Sequence, residues 1–267
     1  MNIAIFGFSG FIGSHIVKTF SKNHNILEIS ARIINYELPE KDIFNYFENK
    51  LNHTDIIINC CANTNPKNKN DIFINENLSK IIQNFIIKKK LDIHFYHISS
   101  INVLIKDRMD KYTFSKINAE KNLINNFTSI IRLPLITNLN NGKKGDLEIF
   151  YKYISLKILP IFPMIYPGNV YRPIEIEKFC LFFLGLVNNK NKPKIYNLMG
   201  KEKKTLWDLF KFIAMTHKKK TLKINTLILN KILPNNIKNS FFRRNSFLGQ
   251  FLSVDQSTII EKNITFL

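Results

Sequence analysis

Met1-Asn-Ile-Ala-Ile-Phe-Gly7-Phe-Ser9-Gly10-Phe11-Ile12-Gly13-Ser-His-Ile-Val-Lys18 is the stretch that decides the fold. Residues 2–6 are mostly apolar and read as a buried parallel strand; three glycines follow at a spacing of three, and the periodic apolar run after them reads as a helix. A strand that turns tightly into a helix presents unpaired N–H groups and the positive end of the helix dipole, which together attract a phosphate. Gly7 permits the turn, Gly10 lets a pyrophosphate approach the backbone, and Gly13 lets the helix lie close on the strand. The context of strand, glycine loop and helix makes this a dinucleotide site, with Ser9, Phe11 and Ile12 as further contacts.

Working outward, the chain reads as alternating strands and helices through about residue 140. Ile26-Leu-Glu-Ile-Ser30 is the second strand, and Ser30-Ala-Arg32 stands where a carboxylate would accept hydrogen bonds from the adenosine ribose of NAD. A small residue followed by a basic one leaves room for a 2′-phosphate, so Ser30 and Arg32 favour NADP(H) over NAD(H). Residues 33–54 hold one helical pattern and little room for a full third strand. Asp55-Ile-Ile-Ile-Asn-Cys-Cys61-Ala62 is a buried strand ending in small residues, which suits a chain running close beneath a cofactor. A helix begins at Asn77, itself a candidate cofactor contact or helix cap, and Ile93–Ser100 is a strand ending in two serines. Ile130-Ile-Arg-Leu133-Pro134 continues the alternation. The pattern predicts an α/β, Rossmann-type doubly wound parallel sheet over residues 1–140. Residues 141–267 are expected to form mainly a small C-terminal substrate-binding lobe, with segments returning to the Rossmann core.

The chain has 267 residues and a formal net charge of +19. Its lysines are spread out and accompanied by heavy Asn and Ile usage, and no clustered basic and aromatic motif points to nucleic acid. The positive field instead suits a doubly phosphorylated small molecule. Three cysteines, two of them adjacent, give neither a disulfide framework nor a metal-ligand spacing, and fit a reducing cytoplasmic setting. His94 and His97 point to opposite faces of a strand and cannot chelate together. No secretory leader is read at the N-terminus, and the greasy run Phe179–Val187, too short to cross a bilayer, reads as a buried helix.

Twelve residues past Ser100 comes Tyr112-Thr-Phe-Ser-Lys116, whose tyrosine and lysine share one helix face. A phenol is a poor acid or base near neutrality, but a neighbouring ammonium stabilises its anion and moves it toward working range. Ser100, Tyr112 and Lys116 are therefore candidates to bind a carbonyl oxygen and to deliver or remove its proton.

These pieces resemble an extended short-chain dehydrogenase/reductase of the NAD-dependent epimerase/dehydratase type that modifies nucleotide sugars. The resemblance rests on Gly7-x-x-Gly10-x-x-Gly13, Asp55–Ala62, Ser99-Ser100, Tyr112-x-x-x-Lys116 with Ala119-Glu120, and Arg132-Leu133-Pro134. It implies that Ser100, rather than Ser99, holds the catalytic place, that Tyr112 is the acid/base, and that Lys116 lowers its pKa and binds the nicotinamide ribose. Leu133 and Pro134 are implied to touch the cofactor, while Arg172 and either Arg243 or Arg244 are implied to hold the nucleotide diphosphate, a task suited to planar guanidinium donors. A homodimer formed through two helices, including the one carrying the tyrosine, is implied as well. Leu159–Pro163 with the run from Leu222 is similar to the branch containing 4-keto reductases and 4-epimerases of UDP-N-acetylhexosamines. The chain departs from the family at Val103-Leu-Ile, where Val-Tyr-Gly is usual, at Ser30, where Asp is usual, and in its compact second half.

The resemblance implies reduction of a nucleotide-linked 4-keto-6-deoxy sugar. A 4-epimerase would use the same three residues, and a noncatalytic dinucleotide-binding regulator would leave them idle.

Overall fold

The computed structural model describes residues 1–51, 53–105, 108, 110–123, 126–138, 145–155, 161–166, 168–189, 194–225, 256, 259 and 263–267. In chain order the first half comprises β1 (Asn2–Phe6), α1 (Phe11–Phe20), β2 (Asn25–Ile29), α2 (Glu40–Lys50), β3 (Ile56–Asn59), α3 (Lys69–Glu76), α4 (Leu78–Lys89), β4 (His94–Ser100), a 3-10 turn (Ile101–Leu104), α5 (Lys111–Lys121) and β5 (Thr128–Leu133). The second half comprises β6 (Ile136–Thr137), α6 (Glu148–Ser155), β7 (Ile161–Tyr166), β8 (Val170–Tyr171), β9 (Ile174–Glu175), α7 (Ile176–Asn188), β10 (Ile195–Met199), β11 (Lys204–Thr205), α8 (Leu206–Thr216), β12 (Lys220–Asn225) and β13 (Ile264–Phe266).

Seven strands form one sheet in the order β13-β10-β5-β4-β3-β1-β2, every neighbouring pair parallel. Period-two alternation splits β1 between two cores. Ile3 and Ile5 pack with Ile16 and Phe20 of α1 and Phe179 and Phe183 of α7. Ala4 and Phe6 pack on the other face with Phe47 of α2 and Phe85 of α4. A sheet buried on both faces needs apolar residues on both, which is why β3 reads Ile-Ile-Ile-Asn and is buried throughout. Beyond residue 140, α7, β10 and β13 rejoin this sheet, while α6, β7 and α8 share a third core around Trp207 and Phe210.

The chain moves outward from β1 to β2 and then returns past β1 to β3, so the order reverses between β1 and β3. At such a switch point the connections diverge to opposite faces and leave a crevice at the carboxyl ends of the strands. The short crossover at residues 33–54 supplies α2 and no strand beyond β2, as its length predicts. Among the described residues no helix is long and apolar enough to cross a membrane.

Three local features differ from the reading of the sequence. The third strand stops at Asn59 because the Asn59 Oδ1 accepts the Cys61 N–H at 3.0 Å and turns the chain out of the sheet. Residues 69–76 form a separate helix, α3, started by a reciprocal capping box between Asn68 and Asp71. Asn77 is the joint between α3 and α4, and its side chain makes no capping bond.

Candidate active site

Gly7 adopts φ +76°, and a Cβ there would lie 2.8 Å from the Cys61 nitrogen, so both its backbone angle and its contact with the β3 end require glycine. At Gly13 a Cβ would come within 2.2 Å of the Gly7 carbonyl oxygen. Its absence lets α1 start directly against the end of β1. Gly10 stands at the N-cap of α1, with no side-chain cap and no acidic residue in the first turn. The first N–H groups of the helix are thus left to a ligand, and the electrostatics favour an anion.

A cleft of about 220 Å³ opens here. Gly10, Phe11 and Ile12 line it at the helix start, Cys60, Ala62 and Thr64 after β3, Ser100 and Asn102 after β4, and Tyr112 and Lys116 on α5. Leu133 and Pro134 contribute from the end of β5, and Tyr171 and Gln256 line it as well. Of the candidate catalytic residues, Ser100, Tyr112 and Lys116 all lie on this single surface.

The two serines are separated by their partners. Ser99 Oγ donates to Glu120 Oε1 at 2.5 Å, and Glu120 also accepts from Arg132 Nε and Nη2 at 3.1 and 2.6 Å. This buried network, continued from Arg132 Nη1 to Asn197 Oδ1 at 3.2 Å, ties α5 to β4, β5 and β10. Ser100 Oγ instead accepts the Asn102 N–H at 3.2 Å, which leaves its own hydroxyl hydrogen to donate. Both serines line the cleft; Ser99 is tied to α5, and Ser100 keeps its hydroxyl hydrogen.

Helix α5 is held in place by its start and its middle. Asp110 caps it by accepting the Thr113 N–H at 3.0 Å. Ser115 Oγ donates to the Tyr112 carbonyl at 2.7 Å, and Asn75 of α3 reaches Ser115 Oγ at 3.3 Å while pairing with the backbone of Asn63 at both its ends. Lys116 is only 1% exposed, and its Nζ donates to the Ile98 carbonyl at 2.9 Å. Burial lowers its pKa to about 8, against the smaller opposing effects of Cys61, Glu120 and Cys60. Burial pushes the Cys61 thiol up to about 12 and the Cys60 thiol well above its ordinary value, so both are protonated at neutral pH. His97 is fully buried with both ring nitrogens unpartnered, and desolvation holds it neutral with its pKa well below the usual range.

Other candidates lie apart from the cleft. Gly7, Ser9, Gly13 and Cys61 shape the turn behind it rather than its wall. Ser30 follows the end of β2, its Oγ accepting the Arg32 N–H at 3.3 Å, and the Arg32 side chain is exposed. Arg172 does not reach the cleft. Its Nη1 donates to the carbonyls of Gly200 and Lys201 at 3.3 and 2.9 Å, and its guanidinium lies 5.1 Å from the Phe266 ring centre, so it fastens the end of β10 to β13. Tyr171, one residue earlier, takes the place at the cleft wall. Arg243 and Arg244 lie outside the described residues.

The sequence reading did not single out Arg108, Asn102 or Asn75. Arg108 lines the cleft and forms a buried pair with Asp110 at 2.6 Å, Nε also reaching Thr113 Oγ1 at 2.9 Å. The only sequence signal was the cap pattern Asp110-x-x-Thr113, which marks the helix start but not what the preceding arginine faces. Among the described residues no group of three His, Cys, Asp or Glu side chains could hold a metal ion.

No protein-family model matches the sequence, and no curated protein matches it. Solved structures do match the fold. A dTDP-4-dehydrorhamnose reductase from Clostridium acetobutylicum superimposes with a TM-score of 0.69 at 15% identity, over 84% of this chain and 83% of its own. A dTDP-4-dehydrorhamnose reductase from Bacillus anthracis, solved with NADP, gives 0.68 at 14% identity over 85% of each chain. A UDP-glucuronic acid 4-epimerase from Bacillus cereus, solved with NAD, gives 0.65 at 16% identity over 84% of this chain and 87% of its own. The seven-stranded parallel sheet with its reversal between β1 and β3 is thus a Rossmann-type α/β fold, shared with these solved structures.

Proposed function

We propose that this protein is an NAD(P)H-dependent reductase of a nucleotide-linked 4-keto sugar. The observation that carries the reading is the meeting of Ser100, Tyr112 and Lys116 on the cleft that begins at the uncapped start of α1. The glycine turn, the open helix terminus and the absence of acidic side chains from its first turn fit the pyrophosphate of a nicotinamide dinucleotide. When bound, that group supplies the hydride. Arg32 and Ser30, in place of a carboxylate after β2, support NADP(H) over NAD(H).

Each side chain then has one task. Tyr112 gives its phenolic proton to the carbonyl oxygen as negative charge gathers there. Ser100 donates a hydrogen bond to the same oxygen and stabilises it where the charge develops. Lys116, a helical turn beyond Tyr112, keeps a positive charge beneath the site that favours the phenolate left behind. Binding of the nucleotide portion contributes energy remote from the reacting carbon. The fold is shared with reductases and with a 4-epimerase, and the same three groups would serve an epimerase by moving the proton in both directions.

The deciding experiment is a mass-spectrometric screen of UDP- and dTDP-linked 4-keto sugars with NADPH and with NADH. A product two mass units heavier, formed with stoichiometric loss of reduced cofactor, supports the reductase. Inversion at C4 of the corresponding UDP- or dTDP-linked hexoses, at unchanged mass and without net cofactor loss, replaces it by the epimerase. Cofactor binding with no turnover, unaffected by Tyr112→Phe, replaces both by a noncatalytic regulator.

A further inference from the structure

Arg108 is 9% exposed and lines the cleft, yet its Nη1 is buried without a hydrogen-bond partner. The opposite edge of the guanidinium is fixed, because Nε donates to Asp110 Oδ2 at 2.6 Å and to Thr113 Oγ1 at 2.9 Å. A donor held this firmly cannot swing to another acceptor. Leaving a buried donor unmet costs about 1–3 kcal/mol, more for a charged group, and native structures keep such groups where something else completes them.

Asn102 presents the complementary lack. It lines the same cleft, its N–H is engaged by Ser100 Oγ, and its Oδ1 is buried with no partner. Arg108 and Asn102 thus share the cleft wall with Ser100, one keeping a buried donor and the other a buried acceptor without a protein partner. Asp110 already neutralises the Arg108 charge, so the pair has no need of an anion. A carboxylate would satisfy Arg108 but meet the Asn102 oxygen with like polarity. A hydroxyl accepts and donates at once, and so satisfies both.

We propose that Arg108 and Asn102 form a subsite for a hydroxyl group of the sugar next to the reacting carbonyl, and so select among substrates. This inference rests on the nucleotide-sugar reading above and deepens it.

The test compares affinities of the NADP+-loaded protein for UDP, dTDP, UDP-glucose, dTDP-glucose and UDP-glucuronate by calorimetry. The wild type is expected to bind a nucleotide hexose more tightly than the bare diphosphate. In Arg108→Met that advantage falls about tenfold, the effect of one lost charge-assisted hydrogen bond, while affinities for NADP+ and for the bare diphosphate are unchanged. Arg108→Lys keeps a cation against Asp110 but loses the fixed second donor; it shows the same loss and serves if the methionine variant does not fold. Asn102→Ala reduces the advantage independently. An unchanged advantage in both arginine variants overturns the subsite and leaves the nucleotide-sugar reading standing. Equal weakening of every ligand, NADP+ included, overturns it in favour of a purely structural arginine. An Arg108-dependent preference for UDP-glucuronate overturns the hydroxyl assignment. Failure of the wild type to bind any nucleotide or nucleotide sugar while binding NADP+ removes the functional reading itself, and the subsite with it.

Discussion

Lys116 shows what a buried ammonium costs its fold. Its ammonium lies in the interior on a single carbonyl, with no carboxylate of its own, since Glu120 is occupied by Arg132 and Ser99. Burial holds its pKa at about 8 rather than the ordinary 10.5, so between these values the unfolded chain binds more protons than the folded one. Folding stability contributed through this group rises with pH across that window and is lowest below it. Lys116→Met is therefore expected to raise stability at pH 7 by up to about 3 kcal/mol, a gain that shrinks as pH climbs toward 10.5, as followed by urea melts. The same variant should lose activity, and wild-type kcat/KM should fall above pH ~8 as the ammonium loses its proton. Tyr112→Phe should lower kcat by about 10²- to 10⁴-fold in a stopped-flow assay of NADPH oxidation, with the cofactor dissociation constant nearly unchanged.

At the scale of elements, the start of α5 joins stability to the site. Asp110 caps the helix, neutralises Arg108 and accepts from Thr113 Oγ1 at 2.8 Å, so one carboxylate positions the helix that carries Tyr112 and Lys116. Asp110→Ala leaves a buried guanidinium unpaired and should destabilise the protein by about 3–5 kcal/mol in chemical denaturation, whereas Asp110→Asn, which keeps an oxygen for the cap, should cost less. The elements legible in the sequence were those whose apolar pattern is strong: β1 with its glycine turn, β3, β4 and α7. Helix α3 was not, because Lys69–Glu76 buries only Asn75 and has no apolar stripe; its capping box, Asn68 to Asp71, was the one local sign. That Ser100, Tyr112 and Lys116 share one cleft was legible because two of them share a helix and the third ends a strand. The turn of Arg172 away from the cleft was not, since it depends on carbonyls at Gly200 and Lys201 and on the ring of Phe266. Arg108 escaped notice for a related reason: which way a loop arginine faces is decided by the cavity wall across from it.

Over the whole molecule, 39 basic residues against 20 acidic ones give a net charge of +19, and the cleft begins at the positive end of α1. A field of this sign attracts phosphorylated ligands over distances that salt screens, with a Debye length of about 10 Å at 0.1 M. Association rates of NADPH and of nucleotide diphosphates should therefore fall as sodium chloride rises from about 0.02 to 0.5 M, more steeply than dissociation rates rise, in stopped-flow fluorescence. The placement of the thiols offers a different kind of readout. Cys61 and Cys180 are buried, and Cys60 is part of the cleft wall; all three are free. An alkylating dye should find Cys61 and Cys180 only when the chain opens as a whole, so their labelling clocks global opening. Cys60 should label sooner and be shielded by NADPH, which would turn one sulfur atom into a footprint of occupancy and its two companions into an internal timer.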